Sequence, residues 1–178
     1  MKWFVLTLLV LLTACVPTAQ PTAKPAPSNV RLVINVDRNV SYQDALRNAS
    51  QSFQDLGYTV LASDDSFRDY GLLYNDSTKA DVDNAVRLAS AARANYVVFI
   101  YSQPTIKDPP LLSGFIGYAE IKATVSIVDF SGKLVRRVEA TGAGGTRNRS
   151  DNRSEIVIAA IPATMRAVAL KVNEVINP

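Results

Sequence analysis

Six aspartates between residues 64 and 83 form the densest group of side chains in this chain that could bind a metal ion. They are Asp64, Asp65, Asp69, Asp76, Asp81 and Asp83. A calcium loop places its oxygen ligands at short, alternating intervals around a glycine turn, and the spacing here is irregular. We therefore interpret these residues as solvated loop acids and helix-cap residues. We expect no metal and no other cofactor.

Histidine is absent from the chain, and Cys15 is its single cysteine. Histidine is the commonest general base at neutral pH and the commonest metal ligand, so its absence excludes every Ser-His and Cys-His nucleophile pair. An enzyme made from this chain would have to use Asp, Glu, Ser, Tyr and Lys alone. We expect that the protein is not an enzyme, and a histidine-free envelope hydrolase remains an alternative.

Residues 141–153 carry two features that an anionic ligand could use. Residues 141–145, Thr-Gly-Ala-Gly-Gly, are rich in glycine but lack the Gly-Lys-Ser/Thr ending of a phosphate-binding loop, so we interpret them as a strand end. The following loop contains Arg147, Arg149 and Arg153, which are possible contacts to an anionic partner. The alternative is an exposed, solvated loop. A net charge of only +3 predicts no nucleic-acid partner.

An apolar segment at residues 107–117 is the most distinctive candidate for a contact with another protein. Its prolines and glycines prevent regular structure, yet it contains several large apolar residues. We predict that a partner contacts Pro109, Pro110, Leu111, Leu112, Phe115 and Ile116. Exposed apolar loops mark contact sites. The alternative, in which these residues fold back over a sheet edge as core, is equally compatible with the sequence.

The amino terminus is typical of a secreted, lipid-modified protein. Lys2 precedes an uncharged apolar run, residues 3–12, that is too short to span a bilayer, which needs about 20 residues. The sequence Leu12-Thr13-Ala14-Cys15 resembles the bacterial lipobox. This resemblance implies that residues 1–14 are removed as a signal peptide and that Cys15 becomes the lipidated, acylated terminus. The alternative is an ordinary signal peptide.

The residues that follow predict a short tether and a location in the cell envelope. Residues 15–29 contain prolines at close intervals, which favour extended structure that reaches about 40 Å at most. We expect this tether to be dispensable for folding. Val16, in place of an aspartate after the cysteine, resembles lipoproteins sent to the outer membrane. We expect the domain to face the periplasm.

Residues 30–178 predict one α/β domain. Apolar runs and amphipathic periods give the order strand, helix, strand, helix, strand, two-stranded hairpin, helix. Ser41 and Thr78 are expected to cap the first two helices, and Pro162 is expected to kink or restart the last one. This β-α-β-α-β-β-β-α order predicts a sandwich with a mixed sheet.

Several segments together resemble a family of bacterial envelope lipoproteins. They are the lipobox, Asn-Val-Ser-Tyr at residues 39–42, Ala-Asn-Tyr-Val-Val-Phe at 94–99, and the hairpin at 123–135 that is followed by Ala-Thr-Gly-Ala-Gly. The family includes the curli-secretion lipoprotein, the TolB amino-terminal domain and the penicillin-binding-protein activator lipoproteins. Two departures are the short tether and the lack of an additional pair of long membrane-crossing strands.

The resemblance implies a fold like that of the TolB amino-terminal domain and a binding role. The expected function is a lipid-anchored interaction module that docks on an envelope protein complex, such as a cell-wall synthase that it activates. The alternative is an oligomeric structural or secretion-pore lipoprotein. The expected partners are the membrane, through lipidated Cys15, and either an envelope protein or further copies of the chain.

Overall fold

A five-stranded mixed sheet with the order β2-β1-β3-β4-β5 organises the fold. The computed structural model describes residues 25–27, 29–62, 74–111, 113–147 and 152–178. The strands are β1 (Arg31–Val36), β2 (Thr59–Ala62), β3 (Tyr96–Lys107), β4 (Gly117–Asp129) and β5 (Leu134–Thr146). β1 pairs in parallel with both β2 and β3, whereas β3, β4 and β5 form antiparallel pairs.

In the described part of the chain, three helices cover the sheet unequally. They are α1 (Tyr42–Asp55), α2 (Lys79–Ala92) and α3 (Arg153–Ile176). Helices α1 and α3 pack together on one face, around a core that includes Phe53, Ile121 and Met165. Helix α2 packs on the other face, against Val97 and Phe99. The predicted β-α-β-α-β-β-β-α sandwich with a mixed sheet is confirmed.

The sheet is longer on its antiparallel side, and this gives the domain two distinct ends. The pairing of β1 with β3 stops at Val36 and Ile100, whereas β3 continues beside β4 to Lys107. We call the end that contains residue 30 and the β4–β5 turn the tether end. The distal end is the loop of residues 108–116 between β3 and β4. The 12 residues of β3 extend about 36 Å between these ends.

Helix α3 lies directly on two glycines of β5. A Cβ atom at Gly142 would lie 2.2 Å from the backbone nitrogen of Thr164, and one at Gly144 would lie 2.1 Å from the carbonyl oxygen of Ala159. Both distances are far inside van der Waals contact, so only glycine permits the helix to approach this closely. The glycine-rich segment therefore belongs to β5 and lies beneath α3. β5 extends past the expected end at Gly142 to Thr146.

The helix termini agree with the sequence in part. The hydroxyl of Thr78 accepts a hydrogen bond from the backbone nitrogen of Asp81 at 3.3 Å, which confirms the predicted cap of α2. Ser41 stands at the N-cap of α1 but accepts no such cap bond; its hydroxyl donates to the Asp44 carboxylate at 2.6 Å. Helix α3 does not restart at Pro162: it runs without a break from Arg153 to Ile176, with Pro162 exposed on its surface.

The last residues of the predicted tether contact the domain. The backbone nitrogen of Ala26 donates to the carbonyl of Leu56 at 2.7 Å, and the side-chain amide of Asn177 donates to the carbonyl of Pro25 at 2.7 Å. Ala26 also packs against the core beneath α1 and α3. The chain therefore enters the fold beside the carboxyl end of α3.

We predict that Gly142→Ala destabilises the protein by about 1–3 kcal/mol, because the added methyl group overpacks the contact with the α3 backbone. Urea denaturation measures the change. Thr141→Ala is the matched control: this neighbouring side chain is exposed, and its loss should change the free energy of unfolding by no more than about 0.5 kcal/mol. Equal stability of Gly142→Ala and the parent would contradict the close helix–strand contact.

Candidate interaction surfaces

The distal loop presents apolar side chains to solvent. Leu111 is 96% exposed and Ile116 is 56% exposed. Phe115 differs, because its half-buried ring lies against Gly145 and stacks on Tyr118 with the ring centroids 6.2 Å apart. Leu111 and Ile116 are thus available to a partner, whereas Phe115 holds the loop against β4 and β5.

The structure places one of the predicted arginines beside this loop. The backbone nitrogen of Ile116 donates to the carbonyl of Thr146 at 2.8 Å, so Arg147 follows directly after the loop's contact with β5. Arg147 and Arg153 are both exposed, and Arg153 begins α3. Of the loop prolines, Pro109 is half-buried and Pro110 is exposed. The distal end therefore combines exposed apolar and cationic groups.

Several predicted residues lie outside the described part of the chain. They are Cys15, Leu112, Arg149 and the aspartates Asp64, Asp65 and Asp69. Among the aspartates that are described, Asp81 belongs to the cap of α2, and Asp76 and Asp83 are exposed. Within the described ranges, no group of three or more acidic, histidine or cysteine side chains is arranged to hold a metal ion.

Among the described residues, the sheet has an edge without a further strand and a face without a helix towards the distal end. Strand β5 is the last in the sheet order, so it has a strand neighbour on only one side among the described strands. On the face opposite α3, two ion pairs cross between strands, Lys107–Glu120 at 2.7 Å and Lys122–Glu139 at 2.8 Å. Both pairs are largely exposed, so they contribute little to stability and mainly keep this face polar.

The most unusual polar group is Asp37, which the sequence suggested only as the residue after a strand. It is 3% exposed. Its Oδ2 accepts hydrogen bonds from the backbone nitrogen of Ser102 at 2.8 Å and from the side chain of Asn39 at 2.7 Å. Its Oδ1 and the Ser102 hydroxyl have no hydrogen-bond partner within the described residues.

Burial raises the pKa of Asp37 to about 6, because it removes water from the carboxylate, and the hydrogen bonds from Ser102 and Asn39 offset only part of this effect. The carboxylate joins the end of β1 to β3 at the point where their pairing stops. No alternating pattern or motif marks such a residue, since its burial depends on the length of β3.

Comparisons with known proteins identify no family and only remote similarities to solved structures. No protein-family model and no curated protein matches the chain. Among solved structures, the chain is similar to the PelC dodecamer from Paraburkholderia phytofirmans, with 16% identity, coverage of 84% of this chain and 93% of that chain, and a TM-score of 0.46. A single-substitution variant of that dodecamer gives 16% identity, 84% and 95% coverage, and a TM-score of 0.44.

None of the described helices combines the length and the apolar character that crossing a bilayer requires.

We predict that Asp37→Asn removes a pH dependence of stability between about pH 4 and pH 6. The folded pKa of about 6 lies above the ordinary value of 3.8, so the folded state binds this proton more tightly than the unfolded state does. The free energy of unfolding should therefore fall as the pH rises, by on the order of 2 kcal/mol between pH 4.5 and pH 7.5, and remain lower above that range.

Urea denaturation of parent and variant at pH 4.5 and pH 7.5 measures this difference. Asparagine retains an oxygen that can accept from the Ser102 nitrogen, so the variant should be at least as stable as the parent at pH 7.5. Asp83→Asn, at an exposed position, is the matched control. A variant that loses equal stability at both pH values would show that the parent needs the carboxylate itself.

Proposed function

We propose that the protein is a lipid-anchored component of the bacterial cell envelope that assembles laterally with copies of itself, as a structural or secretion-pore lipoprotein does. Its anchor is the lipidated Cys15 in the outer membrane, and the domain faces the periplasm. The proposal gives the chain a structural role and no catalytic reaction. The open edge of β5 is the observation that carries it.

The residue types of β5 leave part of its edge without the usual protection against pairing. Exposed edge strands invite pairing with another chain, and proteins usually block them with charges, prolines, bulges or short strands. β5 begins with a register shift opposite Ile127 and Val128 and with charged residues, but residues 141–145 contain neither a charge nor a proline. This uncharged stretch is the segment of the sheet most open to a second copy.

On the other side of β4, the opposite edge of the distal sheet is formed by β3. Beyond Ile100, β3 has lost β1 as its neighbour, so residues 103–107 form that edge of the distal sheet. Pro104 lacks an N–H group and limits hydrogen bonding there, so we expect side chains to make much of the contact. β3 and β5 run in the same direction, which lets neighbouring copies share one orientation relative to the membrane.

A contact between two different edges repeats from copy to copy. Such heterologous contacts close into a ring when the rotation between copies permits it. The PelC structures are described as dodecamers.

We predict that Gln103→Cys and Thr141→Cys, combined in one chain, give disulfide-linked dimers and higher species on oxidation of native membranes. Both positions are exposed, and both pair with Lys122 of β4, so they share one register position across the sheet. Within one chain they are separated by two strand spacings, about 9.6 Å, which is too far for a disulfide. A linked species therefore reports contact between copies.

Non-reducing gel electrophoresis reads out the linked species. The parent chain and Ala163→Cys, on the exposed surface of α3, should remain monomeric. If Thr141→Cys alone gives dimers, the β5 edges of two copies meet about a twofold axis, and the proposed contact between β5 and β3 is wrong. If the double variant stays monomeric at native expression, the proposed lateral assembly through these edges is wrong.

The exposed distal loop favours a second candidate function, in which the protein docks on another envelope protein. Leu111 and Ile116 are exposed apolar residues, and Arg147 lies beside them. Because the loop stands about one strand length from the tether end, it is the part of the domain best placed to reach a partner away from the membrane. This candidate is compatible with lateral assembly.

We predict that Leu111→Ser with Ile116→Ser reduces recovery of an envelope protein crosslinked to the chain in membranes, while the free energy of unfolding changes by less than about 1 kcal/mol, because these side chains bury little surface. Crosslinking followed by pull-down and urea denaturation are measured on the same variant. Ala163→Ser, at an exposed position of α3 away from both proposed contacts, is the control. Unchanged recovery would remove the distal loop as a docking site.

A further inference from the structure

The tether end carries its own exposed apolar surface. Phe130, in the β4–β5 turn, is 68% exposed, and Val135, at the start of β5, is 46% exposed. They border an open groove of about 330 Å³. The groove is lined by Val30, Asn95, Tyr96, Asp129, Phe130 and Val135. We call these six residues the tether-end surface.

The chain enters the domain next to this surface. Pro25 and Ala26 are fixed by hydrogen bonds to Asn177 and Leu56, and Val30 itself lines the groove. Ten peptide steps separate Cys15 from Pro25, and covalent geometry limits their span to about 36 Å even when the chain is fully extended. A lipid on Cys15 therefore keeps the tether-end surface within reach of the bilayer.

We propose that the tether-end surface rests on the membrane, with the Phe130 and Val135 side chains in the interfacial region of the lipid. This inference rests on the lipid anchor of the proposed function and adds the orientation of the domain. Aromatic side chains are favoured at the membrane interface.

The distal loop is the competing apolar surface, and length argues against it. It lies beyond β3, about 36 Å from the tether end. A tether that starts at the opposite end of the domain would have to be fully extended along the whole sheet to bring Leu111 to the bilayer. A much shorter extension is enough for Phe130.

Charges of both signs surround the turn. Burial and the nearby carboxylates of Asp76, Asp81 and Asp129 raise the pKa of Tyr74, whose hydroxyl donates to the carbonyl of Gly132 in this turn. Lys133 in the turn and Arg136, directly after Val135, are exposed cations. Because acidic and cationic groups accompany each other, the exposed apolar side chains of Phe130 and Val135 carry the proposed contact, and a neutral lipid surface tests it without electrostatic attraction.

A single introduced tryptophan tests the orientation. The only tryptophan of the chain is Trp3, which leaves with the signal peptide. The full chains of Phe130→Trp and Leu111→Trp, each purified from membranes in the form that the cell produces, are reconstituted into phosphatidylcholine vesicles with and without brominated acyl chains, and flotation measures the vesicle-bound fraction. Both positions are exposed, so neither indole should disturb the fold, and thermal melts confirm this. Val135→Trp serves as a second reporter of the tether end.

The expected result is that both proteins float, while emission from residue 130 shifts to the blue and is quenched by brominated lipid, and emission from residue 111 is unchanged. If both float and residue 130 is not quenched, or residue 111 is quenched equally, the orientation is wrong and the anchor stands. If neither floats, the anchor itself is wrong and the orientation falls with it.

Discussion

The close contact between α3 and the glycines of β5 is the constraint on which the rest of the architecture depends. Without Cβ atoms at Gly142 and Gly144, the helix backbone lies against the strand and needs no layer of side chains between them. This fixes α3 across β4 and β5, where Ile161 and Met165 close the core with Ile121. Among the described residues, the helical cover of the distal sheet is then on one face, which leaves the opposite face polar and β5 as the last strand of the sheet.

The sequence predicts the elements better than their lengths. Apolar alternation in β4 and the periodic apolar face of α1 identify those elements from local pattern alone. By contrast, β3 continues past Ile100 to Lys107 through polar residues and Pro104, and β5 continues through glycines that locally disfavour strands. Those extensions exist because β4 pairs with both strands and α3 covers the glycines, and a single-sequence pattern contains no information about such partners.

In the candidate surfaces too, local sequence pattern predicts some features and the packing of the fold determines others. The apolar loop residues Leu111 and Ile116 stand out in the sequence because large apolar residues between prolines and glycines are unusual, and both are exposed. Asp37 does not stand out, since an aspartate after a strand resembles any polar boundary. Its burial and its raised pKa arise because β3 continues beyond the end of β1, where the backbone nitrogen of Ser102 donates a hydrogen bond to its carboxylate. Phe130 is similar: its position in a turn is predictable, but its proximity to Val30 is a property of the fold.

The pairing of β1 with β3 determines how the domain would carry a mechanical load. The tether leads into β1, whereas the distal loop joins the end of β3 to the start of β4, so a force between the tether and this loop pulls β1 against β3. Five residue pairs join these parallel strands, from Leu32 with Tyr96 to Val36 with Ile100. The force acts along the strands and loads the hydrogen bonds of this short ladder together, whereas β3 and β4 are pulled in the same direction as one unit. The ladder between β1 and β3 therefore sets the mechanical resistance of the anchored domain.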